Sequence, residues 1–169
     1  MHPTLVLTSS WWLASPAIGI WALVADPVAW PSWWHSVGAV ASLRRGKVLA
    51  AGPVARTASG WRSLTARPLR LRVFCASGEP GSMIESRVLG DLHGSATWLF
   101  APGDASGTEV TCRWELQLPR GLAGGLGVFA QLLFERRQFA RMRFCAQAMG
   151  EALGCRMRPL REWSGAQRS

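Results

Sequence analysis

Apolar and polar positions alternate over residues 4–14, TLVLTSSWWLA, and the β-favouring types there predict a first strand. Ser15-Pro16 follows as an N-cap and an N1 proline, opening a short helix through IGIWALVA that Asp26-Pro27 breaks. A second short helix is expected from about Pro27 to Trp34. From Val37 to Leu118 the pattern is strand after strand, near 37–45, 53–62, 68–76, 82–90, 92–101 and 108–118. The dividers are Arg45-Gly46-Lys47, Gly78-Glu79-Pro80-Gly81, Gly90-Asp91 and Pro102-Gly103-Asp104. Such hairpin-length connections predict an antiparallel meander. After the loop PRGLAGG, one long helix is expected from about Leu126 to Gly154. A seven-stranded sheet of this kind can bury its apolar face by curling around the one long helix available, which makes an α+β fold with a groove between them.

Strand parity selects the side chains that face this helix. In GTEVTCRWELQL the apolar set is Val110, Cys112, Trp114, Leu116 and Leu118, and in DLHGSATWLF it is Leu92, Gly94, Ala96, Trp98 and Phe100. Gly94 and Ala96 are small and leave room between the walls Trp98 and Trp114. GSMIESRVLG turns Ile84, Ser86 and Val88 inward, and RPLRLRVFC turns Leu69, Leu71, Val73 and Cys75 inward. The opening strand sends in Ser9, Trp11 and Leu13. His93 falls on the outer face.

On the long helix, Leu132, Phe139, Met142, Ala146, Met149 and Leu153 share one sector. Gln131 and Glu135 break the rule by falling within it. A carboxylate there needs a partner or water. It either pairs with an arginine at the mouth of the groove or faces a wet cavity, where desolvation would tune it for proton transfer. Arg56, inward by parity with Val54 and Ala58, is the candidate partner of Glu135 or the anchor of a ligand carboxylate or phenolate.

Bulk composition narrows the classes. The 169 residues suit a single domain over 1–158 with a polar C-terminal tail over 159–169, and no apolar run is long enough to span a bilayer. The N-terminus lacks the basic n-region of a secretory signal. Cys75, Cys112, Cys145 and Cys155 lie far apart without zinc spacing, as free thiols of a cytoplasmic protein would. Neither a metal nor a redox cofactor is indicated. The net charge of +9, nearly all from arginine, attracts anions. Because the arginines are spread along the chain, they argue against nucleic acid and leave an acidic carrier protein or an anionic membrane surface as partners. A monomer or homodimer is expected.

The stretch DPVAWPSWWHSV crowds Trp30, Trp33 and Trp34 beside a turn-forming Asp-Pro. Together with the strand and Pro-started helix before it, with RVLGDLHGSATWLFAP and GTEVTCRWELQL later, and with the long closing helix, it resembles the helix-grip proteins of the START / polyketide-cyclase superfamily, also called SRPBCC. The resemblance covers about residues 4–155. It implies a helix-grip fold in which the tryptophan stretch lies across one end of the cavity, as a lid or as a plug of the core. It also implies binding of a hydrophobic, aromatic or polycyclic small molecule, and the activity of a polyketide cyclase or dehydratase. Trp30, Trp34, Ser86, Trp98, Trp114, Gln131, Phe139 and Met142 are the expected ligand contacts, and Glu135 and Arg56 the candidate catalytic groups. The alternative is a non-enzymatic carrier of lipid or quinone that sets a basic face against anionic membrane.

Overall fold

Alternation becomes architecture through burial. In the computed structural model, which describes residues 4–35, 37–43, 46–51, 69–90, 93–117 and 125–167, the elements run β1 (Thr4–Leu13), α1 (Ala17–Ala25), α2 (Trp30–Trp33), β2 (Val37–Leu43), β3 (Gly46–Ala51), β4 (Leu69–Glu79), β5 (Met83–Gly90), β6 (His93–Pro102), β7 (Thr108–Gln117), α3 (Gly125–Ala152) and β8 (Met157–Gln167). They form a helix-grip fold, with an antiparallel sheet in the order β2-β3-β4-β5-β6-β7-β1-β8 curled against α3.

The parity reading holds for the side chains that are described, while those of Leu69, Leu71, Cys75, Leu92 and Leu118 lie outside them. Val110, Cys112, Trp114 and Leu116 of β7 are buried, as are Ala96, Trp98 and Phe100 of β6, and Ile84, Ser86 and Val88 of β5. Ser9, Trp11 and Leu13 of β1 join them, and Glu85, Arg87, His93, Leu99 and Arg113 face outward. Cross-strand pairing sets these side chains in rows. One row runs Ser86, Ala96, Trp114, Leu7, and the next runs Ile84, Trp98, Cys112, Ser9.

Several local expectations shift. The strand expected at 53–62, Arg56 with it, lies outside the described residues. β3 begins at Gly46 instead, directly after β2, with Leu43 paired to Gly46. Helix α1 starts one residue late: Pro16, still extended at ψ 143°, is its N-cap. Ser15 does not cap, and its carbonyl accepts the Thr108 hydroxyl at 2.7 Å. Seven strands precede α3 as expected, and β8 is an eighth among the described residues. It forms largely from the segment read as a polar tail and pairs along the whole of β1.

Strand β8 helps to cover Trp12, which is buried although it lies on the outward face of β1. Arg158 lies 4.7 Å over the ring of Trp12 and bonds both carboxylate oxygens of Asp104 at 2.6 Å. The Trp12 indole donates to the Asp104 carbonyl at 3.1 Å. Its ring lies so close to Gly103 and Gly107 that a Cβ on either would sit within 3 Å of it.

Gly94 also departs from expectation. Its φ is +156°, and a Cβ there would lie 1.9 Å from the Glu115 carbonyl oxygen. The missing side chain admits the backbone of β7 rather than opening a cavity.

Candidate ligand site beneath a tryptophan lid

The tryptophan stretch is built by local chemistry. Asp26 ends α1 and its carboxylate accepts the Val28 amide at 3.1 Å, an Asx turn that redirects the chain into α2. The Trp30 indole donates back to the Val24 carbonyl at 3.0 Å, tying α2 to α1. Trp33 and Trp34 stack at 5.9 Å with 19° between their planes, and Trp30 meets Trp34 at 5.3 Å. All three rings are at least nine-tenths buried, so the stretch turns inward as a unit. Trp30 has its bond, whereas the N–H groups of Trp33 and Trp34 are buried without an acceptor.

The sheet contributes the floor. Trp98 meets Trp11 edge-on at 6.1 Å, and Trp114 stands beside the small residues Ala96 and Ser86 in its row. The space expected beside Gly94 is taken by backbone, which leaves Ala96 and Ser86 as the small side chains of this row.

The inward face of α3 changes character along its length. Met142, Cys145, Ala146 and Met149 are buried and apolar. Toward the N-terminus the same face carries Gln138, only 5% exposed, and then the half-buried Glu135 and Gln131. The Gln131 amide donates to the Glu135 carboxylate at 2.9 Å. Phe139 is half-buried against the core, but Leu132 is 50% exposed and not part of the inward stripe. Helical phase puts Leu132 some 80° from Met142 at 100° per residue, at the margin of the buried sector. Gln138 was missed although its phase is closer, because its polarity hid it among the solvent positions.

Arg141 is the other group that sequence reading passed over. It is half-buried, donates to the Gln138 side-chain oxygen at 3.4 Å, and has a buried Nε without a partner. Burial lowers its pKa, and the charge of Arg137 adds to the effect.

The chemistry on offer is acid–base and hydrogen bonding. Burial raises the pKa of Cys112 despite the Trp114 side chain, and raises that of Cys145 with help from Cys112, so both remain thiols and poor nucleophiles. His35 and His93 are exposed. Among the described residues, no group of three or more His, Cys, Asp or Glu side chains could hold a metal ion, and no helix is long and apolar enough to cross a membrane. On the far flank of α3, a pocket of about 20 Å³ between Ser9, Met157 and the Arg143–Glu162 ion pair has room for a single water.

Comparison with solved structures places this geometry. A START superfamily protein from Mycobacterium smegmatis is 12% identical, with a TM-score of 0.68 over 89% of this chain and 97% of that one. The Zhui aromatase/cyclase from Streptomyces sp. R1128 is 16% identical, with a TM-score of 0.65 over 88% of this chain and 93% of that one. The di-domain ARO/CYC StfQ from the steffimycin biosynthetic pathway is 14% identical, with a TM-score of 0.57 over 89% of this chain and 52% of that one. At these identities the likeness is one of fold. No curated protein sequence matches the chain. A family model described as polyketide cyclase / dehydrase and lipid transport matches residues 8–153, nearly the whole grip from β1 to the end of α3. The chain therefore belongs to the polyketide cyclase / dehydrase and lipid transport family.

Proposed function

We propose that this protein binds a hydrophobic, aromatic or polycyclic small molecule between the N-terminal half of α3, the tryptophan lid and the sheet, and promotes cyclisation or dehydration of a polyketide-like substrate. The observation that carries this reading is the change of polarity along one face of α3. A helix that only plugged a core would keep that face apolar. Here it turns from Met142 and Met149 to Gln138, Glu135 and Gln131, on a helix that contacts α2. In this reading Trp34, Trp98, Trp114 and Phe139 hold the flat faces of the ligand, with Trp30 and Met142 behind them, and Ser86 offers a hydroxyl. Glu135, oriented by Gln131, moves the proton, and Arg56 is kept as its candidate partner. Folding a flexible chain into a reactive geometry would supply much of the rate.

The test uses Nile red, a neutral dye whose emission shifts to the blue in apolar surroundings. It should bind the wild type with a blue shift. Ala96→Phe, which fills the floor beside Trp114, should abolish that response, and Trp34→Ala should weaken it more than it lowers the melting temperature. A folded Ala96→Phe protein that binds the dye like the wild type would overturn the reading.

One observation favours a second reading, carriage of a lipid or quinone at an anionic membrane. The outer face of α3 exposes Leu132, Leu133 and Phe144 beside Arg136 and Arg137, an apolar stripe flanked by cations.

A further inference from the structure

Hydrogen-bonding groups in the interior are out of balance. Trp12, Trp21 and Trp30 each donate an indole N–H to a backbone carbonyl. Trp11, Trp33, Trp34 and Trp114 are at least as well enclosed as Trp21, yet among the described residues their N–H groups have no acceptor, and neither has Arg141 Nε. All five orphans are donors. Folded proteins leave few buried polar groups unpaired, and a run of one kind calls for a ligand of the opposite kind. Arg141 is a cation besides, and no carboxylate pairs with it among the described residues.

Helix phase gives Arg141 its side of the groove. Arg143 reaches Glu162 on β8 at 3.3 Å. Two residues turn the helix by about 200°, so Arg141 leaves α3 on the flank away from β8. Among the described residues, the elements packed on α3 include β1, which carries the unpartnered Trp11, β8, and α2, which carries the unpartnered Trp33. Trp34 follows it directly and stacks on it. Gln138, at 3.4 Å from Arg141, lies on the same flank and is itself buried.

We infer that Arg141, steadied by Gln138, is the anchor for a carboxylate on the bound aromatic molecule, whose oxygens also accept from unpartnered indole N–H groups beneath the lid. The assignment rests on the ligand-binding reading above and names the class of ligand that site takes. Guanidinium and carboxylate match in shape as well as charge, and their hydrogen bonds gain strength where water is excluded. A purely hydrocarbon ligand would leave all five donors unanswered.

Anthracene-2-carboxylate and its methyl ester share a ring system and differ in the anion, so titration of the full chain with each separates the two levels of the argument. The carboxylate should bind about tenfold more tightly than the ester, the effect of one charge-assisted hydrogen bond. Arg141→Met should erase that preference while ester binding persists, Arg141→Lys should restore part of it, and Arg87→Met, on the outer face of β5, should leave it intact. In the wild type the indole N–H resonances of Trp33 and Trp34 should move with the carboxylate and not with the ester, a readout that needs no variant to fold. Equal affinity for the two molecules, or a preference that survives Arg141→Met, overturns the anchor and leaves the site standing. Failure of both molecules to bind overturns the site and the anchor together.

Discussion

Cys112 on β7 and Cys145 on α3 have no exposed surface, and burial raises the pKa of each thiol. A raised pKa means the native state keeps its proton where the unfolded chain would release it, near pH 8.5. Below that value the two states bind the same number of thiol protons, and the contribution to stability is fully present. Above it the unfolded state binds fewer, so stability falls as pH rises. The chain has no tyrosine and only Lys47 among lysines, so few other groups obscure the effect. The melting temperature should hold steady to about pH 8 and then decline, and the Cys112→Ala, Cys145→Ala double variant should flatten that decline. A wild-type melting temperature unchanged between about pH 8 and 10 would contradict the burial of these thiols. The inward direction of Cys112 was readable from strand parity. The use of Gly94 was not, because a missing side chain reads equally as room for a ligand and as room for backbone.

Among the elements, β8 is the one the sequence conceals. MRPLREWSGAQ has a proline, a glycine and no clean alternation. It is held by its backbone ladder to β1, by Met157 against the core, and by Arg158 over Trp12. An edge strand secured mainly through its backbone needs no apolar pattern, so pattern reading passes over it. Ending the chain after Arg156 should bare the edge of β1 and the ring of Trp12. Each lost ladder bond is worth about 0.5–1.5 kcal/mol net. The entropy of ordering an edge strand offsets most of that sum, and a net loss of about 2.5 kcal/mol lowers the melting temperature by roughly 5–10 °C, accompanied by self-association through the open edge. Thermal melting and sedimentation velocity measure both effects, and an unchanged, monomeric truncated protein would mean β8 is dispensable. Helix α3 stands between the two extremes. Its span and its buried methionine were legible, whereas the exposure of Leu132 depended on where β1 and β8 meet it.

At the scale of the whole molecule, the +9 charge and the outer face of α3 point the same way. Leu132, Leu133 and Phe144 are exposed on a stretch of helix whose charged side chains, apart from Glu135, are arginines. The carrier reading therefore expects the protein to sediment with vesicles containing phosphatidylserine and not with pure phosphatidylcholine. Binding should weaken as salt rises past about 0.1 M, where the Debye length is about 10 Å. Leu133→Glu should weaken it further by adding a like charge to the lipid-facing stripe. Indifference to the anionic lipid would remove the carrier reading and leave an acidic carrier protein as the partner suited to this charge.

What the amino-acid order determined by itself was the inward face of each described strand from β5 to β7, the sequence of strand, short helices, meander and long helix, and the inward turn of the tryptophan stretch as lid or plug. These follow from local rules, since the period of a strand or helix and the chemistry of a turn involve residues close in the chain. Only the tertiary structure decided that Gly94 serves β7, that β8 closes β1, and that Gln138 is buried on α3 beside an Arg141 with a donor left over. Those outcomes turn on which surfaces meet, over some twenty residues for Gly94 and Glu115 and more than a hundred for β1 and β8. A hydrogen bond left unmade appears only when every possible partner has been placed.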